Sequence, residues 1–134
     1  MLLRIEALSE QYELRCANVF PAGDGNLHPL IMFDANKPDE TKRTEAFGAD
    51  ILELCIAVGG TITGEHGVGV EKLPQMCVQF APKELERFLG IKAAFDPRML
   101  LNPGKGVPTL ARCAEFGKMH VHHGNLPHPE LPRF

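Results

Sequence analysis

Apolar positions recur first at helical spacing. Ile5, Leu8 and Tyr12 fall on one face of a 3.6-residue turn, so residues 2 to 14 are predicted to form a helix. The period then shortens. Residues 16 to 20 and 27 to 33 read as two strands, joined by Gly23-Asp24-Gly25-Asn26, whose glycines and Asx side chains are turn chemistry. Pro29 lies in the second strand and must occupy a place that needs no ladder donor. Asn36 is placed to cap a second helix, with Pro38, Asp39 and Glu40 in its first turn. Its stripe is Phe47, Ile51, Leu54, Cys55 and Val58, and Gly59-Gly60 stops it. Thr61 to Thr63 reads as a short β-like stretch. Two further helices open at Pro74 and Pro82, the second ending at Asp96-Pro97 because the residue before proline avoids helix. The pattern predicts an α+β chain, a small antiparallel sheet packed with helices.

From Asn102 onward Pro, Gly and His are frequent. We divide the chain into residues 1–108 and an irregular tail, 109–134. The 134 residues are enough for one modest domain. A net charge of -3 with no basic run excludes a nucleic-acid binder. No apolar run is long enough to span a bilayer, and Arg4 and Glu6 come too early for a signal peptide. Cys16, Cys55, Cys77 and Cys113 form no Cys-x-x-Cys pair, which argues against an iron–sulfur or zinc-ribbon site within the chain and for reduced thiols. Cys113 reads as a buried small hydrophobe. His120, His122 and His123 read as a solvated or hydrogen-bonded tail rather than a metal site.

Two segments carry candidate chemistry: Gly23 to His28 at the hairpin turn, and Gly64-Glu65-His66-Gly67 after the glycine stop. A carboxylate and an imidazole are common divalent-metal ligands, and a second imidazole nearby is a base suited to neutral pH. Each segment also has a plainer reading. Gly-Asp-Gly-Asn alone is a turn, His28 alone a hydrogen-bonded strand residue, and Glu65-His66 alone a solvated loop. The glycine-rich loop lacks the strand–glycine–helix order of a dinucleotide fingerprint.

Taken together, the segments point further. FPAGDGNLHPLIMFD (20–34), LELCIAVGGTITGEHGVGVEK (52–72) and KAAFDPRMLLNPGK (92–105) resemble, in order, the C-terminal motifs of the FAD-linked oxidase family. The tail TLARCAEFGKMHVHHG (109–124) is similar to the glycolate-oxidase branch of that family. The resemblance implies FAD-dependent oxidation of a small 2-hydroxy acid, such as glycolate to glyoxylate. It implies a divalent metal held by His28 and Glu65, with His66 as the base that takes the hydroxyl proton. Asn26 and Asn102 are implied to lie toward the flavin. FAD would be gripped mainly by a domain outside these residues, so the isolated chain is expected to bind it weakly and to be inactive alone. Companion flavin-type and iron–sulfur subunits are implied, in a cytoplasmic assembly peripheral to the inner membrane face.

Two other classes compete with this reading: a non-catalytic assembly fragment, and a truncated gene product without independent activity. One departure bears on the metal. The family's other metal histidine would fall seven positions before His28, where this chain has Pro21. Two protein ligands hold an ion weakly, and three suit a catalytic site. Pro21→His is therefore predicted to strengthen zinc or manganese binding, as read by calorimetric titration.

Overall fold

The computed structural model describes residues 1–19 and 23–109. The predictions made for Pro21, Cys113, the three tail histidines and most of the tail segment lie outside the described residues. Helix α1 (Leu2–Tyr12) leads to strands β1 (Arg15–Val19) and β2 (His28–Met32), and helices α2 (Pro38–Ala57), α3 (Leu73–Gln79) and α4 (Pro82–Phe95) follow. This is the expected α+β arrangement. The first helix ends two residues early because Glu13 turns into the left-handed region at φ 51°.

β1 and β2 pair antiparallel, with Val19 opposite His28 and Arg15 opposite Met32. Among the described residues the ribbon has two strands and both are edges, a place that tolerates Pro29. Alternation sends Cys16 and Ile31 toward the helices, while Val19, Leu30 and Met32 remain exposed on the opposite face. His28 shares the parity of Leu30 and Met32, so it belongs to that open face.

Helix α2 holds the molecule together. Phe47, Ile51 and Leu54 pack with Ile5, Leu8 and Leu14, and Leu27 and Ile31 of the hairpin press on this cluster. Leu52 and Ile56, on another face of the same helix, pack against Ile62, Met76 and Leu85. The α1 side is reinforced by Tyr12, which stacks on Phe47 at 5.4 Å and donates its hydroxyl to Asp50 Oδ2 at 2.7 Å. Burial and this acidic partner raise the Tyr12 pKa. Arg43 donates to the Tyr12 carbonyl at 2.6 Å.

Asn36 does not cap α2. Lys37 takes the N-cap position, and Asn36 turns back to Asp34 Oδ1 through its side chain at 2.9 Å. The glycine stop behaves as read: Gly59 adopts φ 83°, and Gly60 N–H donates to the Cys55 carbonyl at 2.8 Å. A Cβ on Gly60 would lie 3.0 Å from that oxygen, so any other residue would force the backbone to give by a few tenths of an ångström. The predicted β-like stretch is not a strand, because it has no ladder partner among the described residues. Its backbone is held by side chains instead: Gln79 Oε1 accepts from Ile62 N–H at 3.0 Å, and Lys72 Nζ donates to the Ile62 carbonyl at 3.1 Å. The expectation of reduced thiols holds for Cys16 and Cys55. It fails for Cys77, which is disulfide-bonded. Among the described residues no helix is long and apolar enough to cross a membrane.

α4 starts where Glu84 reaches back to accept from Ala81 N–H at 2.7 Å. It ends at Asp96, which organises the next turn. Asp96 pairs with Lys92 at 2.5 Å and accepts from the backbone N–H groups of Leu100 and Leu101, each at 2.9 Å. The lysine first, and those two donors after it, hold the Asp96 carboxyl down to about 2 from an ordinary 3.8. A lowered acid pKa adds stability above the unfolded value and loses it as pH falls through the folded one. The difference in urea stability between the parent chain and Asp96→Asn should therefore be full above pH 3.8 and shrink as pH falls through about 2. In the core, Phe47→Ala removes a fully buried ring. It should cost about 3–5 kcal/mol in the same measurement.

Candidate metal and substrate site

The two glycine-rich segments meet on the open face of the hairpin. Asp24 Oδ1 accepts from Asn26 N–H at 2.8 Å, which closes the turn before β2. This aims Asn26 across to the other loop, where its side-chain amide donates to Glu65 Oε2 at 3.0 Å. The approach depends on Gly64, since a Cβ there would sit 3.0 Å from Asn26 Oδ1. Asn26 and Gly64 thus set the distance between the loops.

His28, Glu65 and His66 converge. One donor atom from each lies within 4.8 Å of the other two. His28 Nε2 stands 3.5 Å from Glu65 Oε2, and the His28 and His66 rings are 5.0 Å apart, tilted by 55°. His28 is half-buried, and Glu65 and His66 are exposed. Two imidazoles and a carboxylate on one side of an open surface are a donor set that suits a borderline divalent cation. The 3.5 Å separation exceeds a good hydrogen bond, so the carboxylate does not by itself satisfy the imidazole.

Asn102 lies outside this trio, in the exposed turn that follows Asp96, with φ 45°. That turn is still joined to the site loop, because Gly106 N–H donates to the Gly69 carbonyl at 2.8 Å. Sequence reading missed the Asn26–Glu65 bond and the clamps from Lys72 and Gln79. The only trace of the first in the sequence is the small residue immediately before Glu65.

Behind the loop lies a cavity of about 440 Å³ with an apolar lining that includes Ile62, Val68, Met76, Phe80 and Phe88. It offers little to a small charged acid.

The family model for the C-terminal domain of FAD linked oxidases matches residues 1–106. The chain is 66% identical over 130 residues to the glycolate oxidase subunit GlcD of Escherichia coli K12, covering 97% of this chain and 26% of that protein. It is 43% identical over 105 residues to the GlcD of Bacillus subtilis, covering 78% of this chain and 22% of the relative. A probable mitochondrial D-lactate dehydrogenase of Danio rerio is 43% identical over 83 residues, 62% of this chain and 17% of the relative. The chain thus spans about a quarter or less of the length of these relatives. With its family model matched over residues 1–106, the chain belongs to the C-terminal domain family of the FAD-linked oxidases.

Proposed function

We propose that this chain is the substrate-side end of an FAD-dependent 2-hydroxy-acid oxidoreductase of the glycolate oxidase type, converting glycolate to glyoxylate. The observation that carries the reading is the convergence of His28, Glu65 and His66 within 4.8 Å on the uncovered face of the hairpin. The relatives named above, a glycolate oxidase subunit and a D-lactate dehydrogenase among them, favour a small 2-hydroxy acid as substrate.

His28 and Glu65 would hold the divalent ion, with Asn26 keeping Glu65 in place. His66, on the same loop, would accept the hydroxyl proton at a ring nitrogen, a task an imidazole performs near neutral pH. When bound, the flavin supplies a hydride acceptor and the ion a Lewis acid beside the hydroxyl. The exposed Val19, Leu30 and Met32 beside His28 would be covered by the flavin-bearing part of the protein, which keeps water from the reacting carbon. The turn at residues 102–106, where a Cβ on Gly104 would meet no described atom within 4 Å, would face the flavin. It offers too few contacts to grip the whole cofactor. The companions would be a second flavin-type subunit and an iron–sulfur subunit, at the inner face of the membrane.

The test is anaerobic. The chain is co-purified with an FAD-binding segment of a GlcD-type relative, and glycolate is added. The oxidised-flavin absorbance should bleach, and His66→Ala should slow the bleaching by about 10²–10⁴-fold. Flavin that glycolate does not reduce, or a His66→Ala complex that reacts at the parent rate, would overturn the reading.

A further inference from the structure

The proton-transfer role leaves the metal with two protein ligands among the described residues, His28 and Glu65, and Pro21 has no side-chain donor atom to add. Two ligands hold a divalent ion poorly. The geometry points to a different ligand set: we propose that in the substrate-free chain His66 is the third protein ligand of a divalent cation, beside His28 and Glu65. This rests on the metal site read above and deepens it.

Four observations carry the assignment. The three donor atoms lie within 4.8 Å of one another. Ligand atoms around one tetrahedral ion, with bonds of about 2.0–2.2 Å, stand roughly 3–3.5 Å apart. The His28–Glu65 separation is already 3.5 Å, and His66 is exposed, so its side chain has space to turn toward them. Glu65 is held in place: its Oε2, the oxygen 3.5 Å from His28 Nε2, accepts from the Asn26 amide at 3.0 Å and keeps a further lone pair. The histidine rings stand 5.0 Å apart, so both imidazoles border the same space.

The two roles of His66 belong to different states of the site. A neutral imidazole has one basic lone pair, and an ion that uses it leaves none for a proton. His66 therefore binds the ion while substrate is absent. It becomes a proton acceptor only when the carboxylate and hydroxyl oxygens of a 2-hydroxy acid take its place.

The experiment uses the full chain, titrated calorimetrically with zinc alone. The parent should bind one ion. His28→Ala, Glu65→Ala and His66→Ala should each weaken binding by about tenfold or more. In a Pro21→His background, His66→Ala should cost less than about threefold, because the new imidazole supplies the third ligand. Cobalt substitution gives a second readout: the visible ligand-field band of the parent should change in His66→Ala and be largely kept in Pro21→His/His66→Ala. Thermal unfolding without metal should match across the set, as expected for exposed positions, and His66→Gln stands in if His66→Ala does not fold. A parent chain that binds no zinc, or a His66→Ala affinity equal to the parent's, overturns the ligand role. If only His28→Ala and Glu65→Ala lose binding, the ligand role of His66 fails while the proposed oxidoreductase function stands. Loss of flavin reduction with zinc binding intact would strike the function and spare the ligand.

Discussion

The structure depends on α2 being buried on two faces at once. Phe47, Ile51 and Leu54 bind the α1–hairpin unit, and Leu52 and Ile56 bind the α3–α4 unit. Each fully buried apolar side chain is worth about 1.5–3 kcal/mol. Neither half has an extensive core of its own, and an isolated two-stranded ribbon is marginal in water. The hairpin is held because Leu27 and Ile31 rest on the cluster that α1 and α2 build together, and the loop after the glycine stop is anchored by Ile62 beside Met76 and Leu85. Helix α2 thereby fixes how far the two functional segments lie from each other.

The last few ångströms are set by polar groups. The Asx turn at Asp24 directs Asn26, Asn26 holds Glu65, and the missing Cβ of Gly64 lets the two loops meet. From the far side, Gln79 and Lys72 satisfy the backbone of Ile62 just upstream. Asp96 and the Gly106–Gly69 bond bring the closing turn against the same loop. Of the three side chains that converge on the open face of the hairpin, Glu65 and His66 are exposed and His28 is half-buried. The neighbouring apolar residues on that face are the complement one expects of a surface that another part of the protein covers.

Much of the framework was legible because it rests on local rules. The α2 stripe, the Gly59-Gly60 stop, the proline-opened helices and the hairpin follow from periodicity and from backbone preference. The differences come from interactions across the chain. Thr61 to Thr63 has strand-like composition, but strand is a property of pairs, and among the described residues no strand lies beside it. Asn36 has a capping side chain, but Asp34 competes for it more closely. The Asn26–Glu65 contact joins residues 39 apart, and no local pattern encodes such a pairing. The ordered motifs named the family and singled out His28, Glu65 and His66. That His66 stands close enough to His28 to share an ion depends on loop geometry, and no motif carries that.

The most direct measurement is a crystal structure of the chain grown with zinc, with the ion located by anomalous scattering at the zinc edge. One peak is expected on the open face of the hairpin, bonded to His28, Glu65 and His66 with Asn26 still donating to Glu65. A peak ligated by other residues, or none at the trio with zinc present in excess, would contradict the view that the two glycine-rich segments are brought together to hold a metal.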